Sequence, residues 1–301
     1  MTQSASRSDS SHDLELNGAR YHVVDRGAGS RTVLLLHGMP DTSSVWRHQV
    51  EALVGAGFRA VVPDMLGYGG SDKPPAAERY RGGRILADLF ALLDALELER
   101  VDVVGHDWGA FASWEMVLAC PERFRRHVAV SVGHPDTMTA MQSPAEVKES
   151  WFQYLNAQDD APELYAANDG AFFKRFIIPS HPEVDEVWTR MKDPLAMIAL
   201  LNWDKGNPMA SAYLATARRT EPPRRCLVPT LGIWSDGDRY LWEEQMRRSE
   251  ASMSAAWRYQ RIDGASHWVM LDRPGAFNEL LLDWLRDDCT EERESDRGVR
   301  T

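Results

Sequence analysis

The sequence predicts an α/β protein, a mostly parallel twisted sheet flanked by helices, with a helical cap inserted late in the chain. Two observations carry this. Short β-branched and aliphatic runs alternate with longer stretches of helical apolar spacing, the pattern left by crossover connections between parallel, buried strands. The alternation stops near Ser131, and from about Pro135 to Pro223 the chain is helical in character and rich in Trp, Tyr, Phe and Met.

Strands are expected at about 21–25, 32–36, 59–62, 101–105 and 126–132 before the insertion, and at about 229–234 and 257–261 after it. Helical spacing is clearest over Arg81 to Leu96 and Trp108 to Ala119. The resulting division is a core over 13–134 and 224–286, a helical cap over 135–223, and disordered ends at 1–12 and 287–301. A cap above the strand ends would exclude water from a site there and supply most substrate contacts.

Composition narrows the function classes. With 301 residues, 44% of them hydrophobic, the chain can bury one large core, and no internal repeat suggests a solenoid. A net charge of −11 argues against a nucleic-acid partner, because phosphate binding needs a concentrated basic surface. The Ser-rich, polar start, Met1 to His12, has no apolar run behind it, so no signal peptide or membrane anchor is expected and the location is cytoplasmic. Cys120, Cys226 and Cys289 show no C-x-x-C spacing and read as reduced thiols. No histidine pair has metal-ligand spacing, so neither metal nor cofactor is expected. Partners reduce to a small, apolar substrate molecule and at most a second copy of the chain in a homodimer.

Val101 to Ala110 runs a strand into a helix through Gly105-His106-Asp107-Trp108-Gly109. A sharp strand-to-helix turn lifts its middle side chain into an exposed, strained position, and the flanking glycines remove Cβ atoms that would collide there. An N-capping aspartate is the plain alternative, but it leaves both glycines unexplained. A carboxylate attacking a saturated carbon forms an ester, which water can hydrolyse, whereas serine would form an inert ether. The ester's oxyanion would then be held by the N–H groups of Trp108 and of Met39, the latter in His37-Gly38-Met39-Pro40 directly after an apolar strand.

Beyond the apolar strand Pro229 to Trp234 lies Ser235-Asp236-Gly237-Asp238-Arg239, at a strand end where ligands gather in open parallel sheets. Either aspartate could orient a histidine. Asp238 is preferred, because Asp236-Gly237 reads as turn chemistry. Gly264-Ala265-Ser266-His267-Trp268 then supplies His267 as the general base, in the chain order nucleophile, acid, histidine. His12, His22, His48, His127, His134 and His181 have no partner pattern and read as surface or packing residues.

Together, His37-Gly38-Met39-Pro40-Asp41, the run Asp64 to Pro74, Gly105-His106-Asp107-Trp108-Gly109 and Gly264-Ala265-Ser266-His267-Trp268 resemble the soluble epoxide hydrolases and the related haloalkane dehalogenases. The resemblance covers roughly residues 20–135 and 225–286. It implies the α/β-hydrolase fold with the cap inserted after the sixth strand, Asp107 as the alkylated nucleophile, His267 as the base and Asp238 as its orienter. Epoxide hydrolases of this kind also carry two cap tyrosines that hydrogen-bond the epoxide oxygen. Here Phe152, after Ser150-Trp151, stands at the first position, and Asp204, after Asn202-Trp203, stands at the second.

Three readings follow from that departure. The first is an epoxide hydrolase with a substitute acid, either a buried, protonated Asp204 or Tyr154. The second is a dehalogenase, whose halide needs N–H donors: Trp108 and one of Trp151 or Trp203. The third is a binding module or non-hydrolytic biosynthetic enzyme on the same fold. The complete Asp107, His267 and Asp238 set argues against the third.

Overall fold

The structure, a computed structural model, describes residues 10–138, 148, 150–208, 211, 212, 214, 215 and 218–287. Eight strands form one sheet: β1 (Ser10–Leu16), β2 (Ala19–Arg26), β3 (Thr32–Leu36), β4 (Arg59–Pro63), β5 (Val101–His106), β6 (Phe124–Val130), β7 (Thr230–Gly237) and β8 (Trp257–Ser266). Their spatial order is β1-β2-β4-β3-β5-β6-β7-β8. β1 and β2 pair antiparallel, as do β2 and β4, and every other neighbour is parallel.

The central strands β3, β4 and β5 are buried at every residue. That is why they are dominated by aliphatic residues: helices cover both faces, so a polar side chain there needs a partner. The covering helices include α1 (Arg47–Gly55), α2 (Gly82–Ala95) and α3 (Trp108–Ala119). Two ion pairs reach into this interior. Arg59 grips Asp25 through two hydrogen bonds of 2.9 and 2.6 Å, and Arg31 grips Asp102 through two of 3.0 Å.

Strand β1 was not expected. Its sequence, Ser-Ser-His-Asp-Leu-Glu-Leu, lies on the sheet edge with only Leu16 fully buried, so no apolar run announces it. The expectation of disorder over 1–12 is corrected at Ser10 to His12, which pair with Asp25, Val24 and Val23; residues 1–9 lie outside the described residues, as do 288–301 with Cys289. Counting β1, the helical insertion follows the sixth strand.

Between β6 and β7 the described helices are α4 (Pro135–Met138), α5 (Trp151–Asn156), α6 (Ala161–Phe172), α7 (Val184–Met191) and α8 (Pro194–Gly206), with a π-helical turn at Phe173–Ile177. They are tied to loops at the C-terminal ends of the strands. Trp203 Nε1–H donates to the Leu66 carbonyl at 3.0 Å, Asn202 Nδ2–H to the Pro75 carbonyl at 3.0 Å, and Tyr240 O–H to the Ile177 carbonyl at 2.8 Å. His181 meets Asp41 at 3.2 Å and Arg47 meets Glu183 at 2.5 Å. No helix among the described residues is long and apolar enough to cross a membrane.

Candidate active site

Asp107 stands between β5 and α3 with φ 53° and ψ −124°, a left-handed conformation that strains any residue with a Cβ. The neighbouring glycines make room for it. A Cβ at Gly105 would strike the Gly109 carbonyl and Ala110, one at Gly109 would strike the Leu36 carbonyl, and one at Gly38 would overlap the Asp107 side chain itself. The Met39 N–H donates to Asp107 Oδ1 at 2.9 Å. Trp108 opens α3, so its N–H belongs to the first turn and has no carbonyl partner within the helix.

On the other side of the carboxylate, His267 Nε2 lies 3.6 Å from Asp107 Oδ2. His267 Nδ1 and Asp238 Oδ2 are 2.8 Å apart, and Asp238 Oδ1 accepts from the N–H groups of Tyr240 at 2.9 Å and Leu241 at 3.1 Å. An aspartate so saturated with donors is an acceptor only, so Nδ1 carries a hydrogen and Nε2 is the atom that faces the Asp107 carboxylate. The structure brings Asp238 to the histidine and leaves Asp236 on the exposed side, accepting from Gly264 N–H at 2.7 Å.

Burial alone would keep His267 neutral. The charge of Asp238, and beside it that of Asp107, outweigh it and lift the imidazole to about 10. Reciprocally, although burial opposes their ionisation, both aspartates are held below the usual carboxylate range by His267. Beneath the base, His106 is pushed down to about 4 by burial and by the His267 charge. It remains neutral, its ring 4.4 Å from that of His267 and its Nε2 3.0 Å from the His267 carbonyl oxygen.

A cavity of about 440 Å³ opens over these groups, lined by Met39, Asp107, Trp108, Phe152, Trp203, Asp204, Tyr240 and His267 among others. Aliphatic and aromatic side chains make up most of its walls, and the Trp108 and Trp203 rings lie 5.5 Å apart. Two expected contributors are absent. Trp151 and Tyr154 are 39% and 47% exposed on the outer face of α5 and line no part of the cavity, so neither donates to a substrate there. Trp203 lines the wall with its ring, but its N–H is engaged by the Leu66 carbonyl. It therefore cannot serve as the halide donor considered from the sequence.

Asp204 is buried, and its Oδ2 accepts from Asn156 Nδ2–H at 2.5 Å. Burial raises this carboxyl to about 7; the Asn156 N–H opposes that rise, and the Asp107 charge adds to it. Several residues in this neighbourhood escaped the sequence reading. Asn156 and Tyr165 hold Asp204, Tyr240 stacks its ring edge 4.9 Å from His267, and Asp41 joins Trp268 to His181. The reading of His181 as lacking a partner is thereby corrected. Asp41 was visible within its motif; the helix residues Asn156 and Tyr165 had no sequence pattern to mark them.

Comparison with known proteins agrees with this architecture. The sequence pattern of the alpha/beta hydrolase fold family matches residues 31–274. The chain is 31% identical to an epoxide hydrolase of Caballeronia sordidicola, over 91% of this chain and 93% of that protein. It is 30% identical to epoxide hydrolase A of Mycobacterium tuberculosis, over 90% and 96%. Among solved structures, an epoxide hydrolase from hot-environment metagenomes superposes with a TM-score of 0.83 at 25% identity, covering 93% of this chain and 99% of that one. Epoxide hydrolase A of Mycobacterium thermoresistibile gives 0.77 at 26%, with coverage of 93% and 99%. On this likeness, which spans the core and the inserted helices alike, the chain belongs to the α/β-hydrolase fold family in its epoxide-hydrolase-like branch, and it is a hydrolase.

Proposed function

We propose that this hydrolase opens epoxides through a covalent ester on Asp107, with Asp204 as the proton donor in place of cap tyrosines. The observation that carries the reading is a buried carboxyl lifted to about 7 in the same cavity as the nucleophile. A carboxylic acid that is half protonated at neutral pH can deliver a proton to a departing alkoxide; Phe152, at the other tyrosine position, cannot.

In the first step an Asp107 oxygen attacks a ring carbon, the C–O bond breaks, and the alkoxide takes the Asp204 proton, leaving a hydroxyalkyl ester. With the Asp107 anion gone, His267 Nε2 gives up its resting proton, which restores Asp204; water deprotonated at the now neutral Nε2 attacks the ester carbonyl, and the N–H groups of Met39 and Trp108 hold the oxyanion. Collapse passes the hydroxyl proton of the intermediate to the departing alkoxide, freeing the diol and restoring the Asp107 anion beside a protonated His267. In the resting enzyme the Asp107 anion helps keep His267 protonated. Esterification removes that anion, so the histidine loses one cause of its high pKa when a base is required. The inserted helices act as the cap, and the aliphatic and aromatic walls favour apolar substituents on the epoxide.

Halide release has less support, because Trp203 N–H is engaged and Trp151 is off the cavity. A panel of epoxides and haloalkanes, with diol and halide both monitored, tests the reaction class. A single turnover in ¹⁸O-labelled water tests the route: label should enter the Asp107 carboxylate, and label found only in the diol excludes the ester.

A further inference from the structure

Asp204 presents its two oxygens to different surroundings. Oδ2 accepts from Asn156, while Oδ1 has no hydrogen-bond partner among the described residues and belongs to a side chain that lines the cavity. Behind Asn156 stands Tyr165, whose hydroxyl bonds Asn156 Oδ1. Asn156 and Tyr165 are both fully buried.

Burial fixes the direction of this chain. The Tyr165 hydrogen has no acceptor other than Asn156 Oδ1 among the described residues. Turning the amide over would set its NH₂ against the hydroxyl and leave the phenolic hydrogen unpaired in the interior, an expensive arrangement. The amide orientation is therefore imposed by the tyrosine, where an isolated asparagine would be free to flip. With its NH₂ turned toward Asp204, Asn156 can only donate to Oδ2.

We propose that Tyr165 and Asn156 form a positioning pair that keeps the proton of Asp204 off Oδ2 and on Oδ1, the oxygen that can reach a substrate. Tyr165 holds the amide, and the amide holds the carboxyl. Neither residue touches the reacting atoms; they decide which oxygen delivers the proton and limit how far burial raises its pKa. Asp107 is the charged group acting on Asp204, and the Asp204 charge in turn raises the hydroxyls of Tyr165 and Tyr68 that face it, so Asn156 N–H is the favourable contact opposing burial and the Asp107 charge. The inference rests on Asp204 being the proton donor.

The test is single-turnover ring opening of styrene oxide, followed as ester formation on Asp107 from pH 5 to 9, beside the rate of ester breakdown. Tyr165→Phe frees the amide to turn, and Asn156→Ser removes it. Each variant should slow ester formation about tenfold or more and move its pH midpoint up by roughly one to two pH units, the effect of one hydrogen bond to a charged group. Ester breakdown should be unchanged, because it needs His267. A role limited to packing predicts lower thermal stability with the midpoint where it was in wild type, and that result overturns the proposal. Asn156→Ser keeps the test open if Tyr165→Phe does not fold. Asp204→Asn separates the two ideas. Ring opening at the wild-type rate in that variant overturns both, whereas its loss, together with unmoved midpoints in the other two variants, overturns the positioning pair alone.

Discussion

Asp204→Asn should make this protein slower and, at alkaline pH, more stable. The native carboxyl titrates at about 7 against an ordinary 3.8, a displacement of about three pH units and an upper limit of about 4 kcal/mol. The sign follows from proton binding. Between about pH 4 and 7 the native protein holds a proton that the unfolded chain has lost, so wild-type stability falls as pH rises through that window. Above it, folding carries a buried, ionised carboxylate repelled by Asp107. An asparagine can still accept from Asn156 and carries no such penalty. The variant should therefore match wild type near pH 4 and exceed it at pH 8 by up to about 4 kcal/mol, read from denaturant unfolding at the two pH values. Ring opening should fall by roughly 10²–10⁴, because an amide donates a hydrogen bond but not a proton. In wild type the same step should decline tenfold per pH unit above about 7. A stability difference that is equal at pH 4 and 8 would refute the buried-acid argument, and unchanged ring opening would refute the assignment of the acid.

His267→Gln should allow ester formation and block its hydrolysis, so mass spectrometry should find a substrate-sized increase on the peptide carrying Asp107; a variant with neither turnover nor adduct would give His267 another role. Gly38→Ala should abolish ester formation, because the new methyl group would lie 2.3 Å from Asp107 Cβ as well as from its Oδ1, so the elbow itself must shift to admit it. Retention of more than about a tenth of wild-type rate would show that the nucleophile works from a different position than the one described.

The central strands were legible because being covered on both faces leaves short clusters of Val, Leu and Ala in the sequence, broken only at Arg59, Asp102 and the strand ends. β1 was illegible for the complementary reason: an edge strand facing water on one side keeps Ser, His, Asp and Glu. Asp107, Asp238 and His267 could be picked out because each follows a strand end, where turn geometry demands particular neighbours, and the structure brings the three together. Inside the insertion that logic is lost. On α5, Phe152 and Asn156 are four residues apart and turn inward, while Trp151 and Tyr154 are three apart and turn out. The sequence shows that periodicity but not which side the core occupies, so Trp151 and Tyr154 were considered and Asn156 was overlooked.

Asp41 takes one hydrogen bond from Trp268, the residue after the base, at 2.8 Å, and meets His181 of the insertion through its other oxygen. Swinging that part of the insertion outward would cost the Asp41 carboxylate, which braces the residue after His267, a hydrogen-bond partner, at a penalty of about 1–3 kcal/mol. The segment around His181 is therefore a fixed post, and the insertion divides into a part bound to the chemistry and a part that is only wall. Substrate and product are therefore expected to pass on the side of α5, whose outer face meets water. On that expectation, drift in substrate range would accumulate in the wall, residue by residue, while the post beside Trp268 stays in place.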